Sequence, residues 1–177
     1  MRRFLTVFLL PLVLFTGCTS PAAGGLTTAT AAPNNTAEPT SLPSTASEAH
    51  EVLVNFLTLL HTKNYAAAVP LYGGEYEQLQ VFNTEIEPND QIALWAWACD
   101  QRLLQCMEVR SATFQELRGD SYVFQVEFSN PDGSLFVLGP CCGANETEMP
   151  SVSKFEFTVS HTVDNKFVVT DTPPYVP

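Results

Sequence analysis

Thiols offer the sharpest chemistry in this sequence. Its five cysteines are Cys18, Cys99, Cys106, Cys141 and Cys142, and the last two are adjacent, flanked by Pro140 and Gly143. Neighbouring Cα atoms lie about 3.8 Å apart, below the roughly 4.4 Å at which disulfides become common, so a bond between the two would be strained and easily reduced. Three readings stand for the pair: a rigid structural loop, a redox or ligand-gating switch, and a thiolate site for a soft metal, with Met149 in the same loop as a further sulfur. His50 and His61 fall on one expected helix but too far apart to share a metal, and no quartet of ligands has metal-site spacing. Neither a metal nor a cofactor is expected. Nucleophile-elbow serines, phosphate-cradling glycine loops and dinucleotide fingerprints do not occur in the sequence.

The elements that must position these side chains are legible from periodicity. The composition changes near Thr45, and about 130 residues remain, enough for a single domain over 47–177. Thr45 and Glu48 have capping-box spacing, and Val52, Leu53, Phe56, Leu57, Leu59 and Leu60 form the apolar face of a first helix that Asn64 breaks. A second short helix is expected over Tyr65 to Tyr72, kinked by Pro70 and stopped by Gly73-Gly74. Tyr76 to Phe82 reads as a turn of helix or a short strand. Asn89 or Asp90 caps a longer helix running to about Leu104. Its apolar residues, Trp95 and Trp97 among them, cover so much of the circumference that it should be sandwiched at the centre of the core.

Beyond Cys106 the period becomes that of strands. Tyr122, Phe124, Val126 and Phe128 alternate with Val123, Gln125, Glu127 and Ser129, and the same alternation returns in Phe155, Phe157, Val159, His161 and Val163. His161 therefore points to the inner face, as a core or pocket-lining histidine rather than a general base, since no carboxylate is fixed beside it by spacing. Arg118-Gly119-Asp120, Asn130-Pro131-Asp132-Gly133 and Asp164-Asn165-Lys166 have the chemistry of hairpin turns. Helices first and a meander afterwards define an α+β domain with helices packed on one face of an antiparallel sheet. The same topology orders the cysteines. If Glu108–Leu117 pairs with Ser121–Ser129, and that strand with Ser134–Leu138, then Cys141 and Cys142 leave the sheet about 26 Å from Cys106. Cys99 stays near Cys106, and a Cys99–Cys106 disulfide is expected.

The N-terminus carries a different message. Arg2 and Arg3 precede an apolar run from Phe4 to Phe15, a secretory signal pattern over 1–17 that is too short, at about 18 Å, to remain as a membrane span. Phe15-Thr16-Gly17-Cys18 resembles the lipobox of bacterial lipoproteins, with Phe15 where an aliphatic residue usually stands. The resemblance implies cleavage after Gly17 and acylation of Cys18, and two or three long acyl chains would hold the protein on the extracytoplasmic face of a cell membrane. Residues 18–46 are built from Thr, Ser, Ala, Pro, Gly and Asn and bury too little apolar surface to fold, which makes them a tether reaching about 30 Å. With 8 Lys and Arg against 19 Asp and Glu, the net charge of −11 argues against a nucleic-acid partner.

The order of elements, and Val54 to Leu79 in particular, resembles the nuclear transport factor 2-like superfamily, in which a curved sheet wraps helices into a cone. Uncharacterised lipoproteins with such a domain behind a lipobox and a Pro/Thr-rich tether are a further resemblance. It implies isomerases, dehydratases, docking domains or ligand binders, a range too broad to name an activity. Asp100 and Tyr122 are the acid/base candidates to examine inside such a cone. The leading expectation is a membrane-anchored, non-catalytic lipoprotein that binds a partner protein or a small apolar ligand. An acid/base enzyme of the same fold and an envelope redox or metal-handling protein using Cys141-Cys142 are the alternatives.

Overall fold

Residues 44–176 are described by a computed structural model of the chain. Helix α1 (Ser44–His61) buries Ala46, Ala49, Leu53, Phe56, Leu57 and Leu60, a stripe at helical spacing, and leaves Val52 and Leu59 at its margins. Thr45 is already inside the helix, so the expected Thr45–Glu48 capping box is not its start. Its end is a Schellman motif: Asn64 N donates to Leu59 O (2.8 Å), Lys63 N donates to Leu60 O (3.1 Å), and Lys63 takes the left-handed conformation at φ 61°.

The expected second helix divides at its proline, into α2 (Tyr65–Ala68) and a 3-10 turn over Val69–Leu71. Gly73 and Gly74 then pass close to the sheet. Gly73 N donates to Val169 O (2.9 Å), and a Cβ on Gly74 would collide with the Thr170 carbonyl and the Tyr72 ring. Helix α3 (Glu77–Phe82) precedes α4 (Gln91–Asp100), whose first turn is capped by Asp90, its carboxylate accepting from Ala93 N at 3.0 Å. Helix α4 ends at Asp100, four residues before the expected Leu104, because Arg102 turns left-handed at φ 58°. Nor is α4 sandwiched on all sides: Leu94, Trp95 and Ala98 are buried, whereas Ile92 is 48% exposed.

Four antiparallel strands follow in the order β1 (Glu108–Arg118), β2 (Ser121–Ser129), β3 (Phe155–His161), β4 (Phe167–Val169). A two-residue loop with Gly119 at φ 63° joins β1 to β2. The second partner of β2 is β3 and not Ser134–Leu138, which forms only single bridges, Leu135 with Ser129 and Leu138 with Val152. The reason lies in burial. Phe157 and Val159 meet Phe124 and Tyr122 across the strands on the inner face, while Ser134–Leu138 leaves Leu135 and Val137 exposed and runs into Gly139-Pro140, where the proline has no N–H to give a ladder.

The helices cover the face carrying Phe124, Val126, Phe128, Phe157 and Val159, all fully buried with Phe56 and Trp95. Trp95 meets Phe56, Tyr72 and Tyr76 edge-on and donates its Nε1–H to the Tyr76 hydroxyl at 3.2 Å. Among the described residues the buried side chains that carry a polar atom are the aromatic Tyr65, Tyr72 and Trp95 alone, and no charged side chain is buried. The expected α+β class with helices on one face of an antiparallel sheet is the observed architecture.

Candidate functional site

The concavity that gathers most of the expected residues lies beside a disulfide. Cys99, in the last turn of α4, is bonded to Cys106, just before β1, with Cα atoms 5.5 Å apart. The bond closes a short loop and, by chain entropy, stabilises the fold by about 2.5 kcal/mol. Beside it lies a groove of about 610 Å³ between the ends of α1 and α4, the start of β1 and the end of β2. Leu104, Met107, Pro131 and Phe136 give it an apolar lining, and His61, Lys63, Asp100, Arg102 and Glu108 supply its charged and titratable groups.

Two cations reach this groove because their helices end there. Lys63 and Arg102 occupy left-handed positions just past the C-termini of α1 and α4, where positive charge faces the negative end of the helix dipole. Asp100 sits at the unfavourable end of α4 for an acid, and its neighbours compensate. Its Oδ1 accepts from Lys63 Nζ at 2.7 Å and from the Tyr65 hydroxyl at 3.2 Å. The hydrogen bond from Lys63, reinforced by Tyr65, holds the Asp100 carboxyl below the usual carboxylate range, while burial and the Asp100 charge push the Tyr65 hydroxyl up to about 12. Asp100 is thus an ionised partner of a lysine, poorly suited to taking up a proton near neutral pH. His61 donates Nδ1–H to the Cys106 carbonyl at 3.2 Å, and His50 donates Nε2–H to the Ala112 carbonyl at 3.1 Å, so both α1 histidines fasten the helix to the β1 side.

Tyr122 and His161 lie at the other end of the sheet. Tyr122 is seven residues from Ser129 along β2, about 23 Å from the strand end that borders the groove. It is half-buried and packs edge-on against Phe167 at 5.5 Å. His161 is exposed, contrary to its expected place inside the core or a pocket, and lies against Phe167 at a tilt of 31° with ring centroids 4.0 Å apart. Its parity is that of Phe157 and Val159, but the inner face ceases to be covered there: Val163, of the same parity, is fully exposed at 103%. The three expected pocket residues therefore do not converge. Asp100 belongs to the groove, whereas Tyr122 and His161 share an aromatic contact elsewhere.

Sequence reasoning found the disulfide beneath the groove but missed Lys63, Arg102, Met107 and Phe136 around it. Nothing in a lysine or arginine announces a left-handed backbone, and the C-terminus of α4, which has no glycine, conceals its own position. Cys141 and Cys142 are free, half-buried and exposed respectively. Cys18 and the signal and lipobox segment lie outside the described residues. Among the described residues, no group of three or more His, Cys, Asp or Glu is placed to hold a metal, and no helix is long and apolar enough to cross a membrane. No family model matches the chain, and no curated protein matches it.

Proposed function

We propose that the chain is a bacterial lipoprotein, anchored through an acylated Cys18 on the extracytoplasmic face of the cell membrane. Its nuclear transport factor 2-like domain binds a partner protein or a small apolar ligand and catalyses no reaction. The observation that carries this reading is the contrast between a filled interior and an open groove beside a covalent clamp. Phe56, Trp95, Phe124, Phe128 and Phe157 fill the space between helices and sheet, where a cone would hold a substrate. The groove, at about 610 Å³, is of ligand-pocket size, and its apolar lining carries a few charged groups at the rim, a combination suited to recognition. Helices followed by an antiparallel meander support the cone-like ancestry, and the apolar run ending in Thr16-Gly17-Cys18 supports the anchor.

Two measurements test the proposal. Metabolic labelling with palmitate should mark the wild-type chain and leave Cys18→Ala unmarked; an unlabelled, freely soluble wild type rejects the anchor. A photo-crosslinking residue at Gln105 in the groove should form a discrete adduct in intact cells, and one at Gln115 outside it should not. Equal labelling at both positions would reject the groove as the binding site.

A further inference from the structure

The adjacent thiols stand apart from the groove and from the anchor. Cys141 and Cys142 occupy the first two positions of a tight turn closed by Ala144 N donating to Cys141 O at 2.9 Å. Both central residues are left-handed, Cys142 at φ 61° and Gly143 at φ 89°, the pattern of a type I′ turn. A thiol-bearing residue in that conformation carries strain of about 1–2 kcal/mol, so the surrounding loop must hold it there. It does so by closing on itself. Leu138 and Val152 exchange two backbone hydrogen bonds of 2.8 Å at its neck, and the Glu146 carboxylate accepts from Ser151 N at 3.0 Å and from its hydroxyl at 2.7 Å. The turn is thereby presented to solvent on a braced loop, with Cys142 exposed and Cys141 half-buried beside it.

Two thiols fixed on neighbouring residues make a bidentate ligand. Two metal–sulfur bonds near 2.3 Å in a line require sulfurs about 4.6 Å apart, and thiolate sulfur selects soft ions. Coordination number decides which. Structural zinc needs four protein ligands, and the described residues bring no third His, Cys, Asp or Glu to this pair. A monovalent d10 ion is satisfied by two thiolates in a line. We propose that Cys141 and Cys142 together bind one soft monovalent cation of the Cu(I) and Ag(I) class between their two sulfurs. Loading forms two metal–sulfur bonds and breaks two S–H bonds: the dithiol and one monovalent cation give an anionic bis-thiolate complex and two protons. No electron changes hands.

Ag(I), which is inert to air, is the probe. The full-length wild-type chain and the Cys141→Ser, Cys142→Ser and doubly substituted chains are titrated with Ag(I) against a competing chromophoric ligand, and bound metal is counted by non-denaturing mass spectrometry. Cys18 is common to all four, so the site is read as a difference. The wild type should hold one more ion than the double variant, and each single serine should weaken that ion by about 10²-fold or more, as loss of one arm of a chelate does. Zn(II) should show no such difference. Two additional ions in the wild type, single variants that bind as tightly as the parent, or wild-type protein isolated with the pair oxidised to a disulfide would each overturn the proposal. Far-UV circular dichroism of the variants confirms that the fold persists.

Discussion

Tyr65 and Tyr72 show how burial, more than any other influence, sets a pH limit on this molecule. Both are less than one-tenth exposed, and burial, assisted by nearby acids, pushes each hydroxyl from 10.0 up to about 12. A phenol whose folded pKa is raised favours the native state below its unfolded value, and that contribution is lost as pH rises through the folded one. Stability should therefore fall between about pH 10 and 12. Urea melts over that range should show a steep loss for the wild type and a shallower one for Tyr72→Phe; equal slopes would refute the assignment. Neither tyrosine was legible as a titrating group, because burial on this scale comes from Phe56, Trp95 and α4 closing over them. Asp100 and His161 make the same point in reverse. Each was found by element and parity, but its role depends on neighbours that spacing does not reveal: Lys63 and Tyr65 for one, Phe167 for the other.

At the scale of elements, the sequence told most where a repeating period meets a buried face. Residues 121–129 and 155–161 were readable as strands for that reason, and α1 was readable from its apolar stripe. Ser134–Leu138 is a continuous apolar run after its serine, yet it fails as a strand because β2 gains more by pairing with the better-buried β3. That competition between two candidate partners is a tertiary fact with no local signal. Gly73-Gly74 is a subtler case. Read as a helix stop, it also lets the chain pass against β4, where Tyr72 bridges to Val169. Gly74→Ala should accordingly destabilise the domain by about 1–3 kcal/mol through forced displacement of Thr170 or Tyr72, as overpacking does. Gly139→Ala, whose new methyl would meet only Ser151 at 3.8 Å, is the control. Chemical denaturation of the two variants gives the comparison, and a Gly74→Ala midpoint matching the control would show that the close approach is not constraining.

Charge acts on the molecule as a whole. The chain carries −11 formally at pH 7 with a pI near 4.5, yet residues 44–176 contain only three ion pairs, all with exposed side chains. Exposed pairs are worth about 0–1 kcal/mol each and are weakened by salt, whereas the repulsion among surplus carboxylates opposes compaction and is also screened by salt. The two effects have opposite signs. With three weak pairs set against a surplus of eleven negative charges, screened repulsion should win. Raising sodium chloride from about 10 mM to 0.5 M, which shortens the Debye length from about 30 Å to less than 8 Å, should thus increase the melting temperature at pH 7. Near pH 4.5 the surplus is gone, and the same addition should raise it little or lower it slightly. A melting temperature that falls with salt at pH 7 would mean that the Arg118 bridges, to Glu116 within β1 and to Glu156 across β2 in β3, contribute more than exposed pairs ordinarily do. An Arg118→Gln chain, lacking both bridges, would then lose that salt sensitivity.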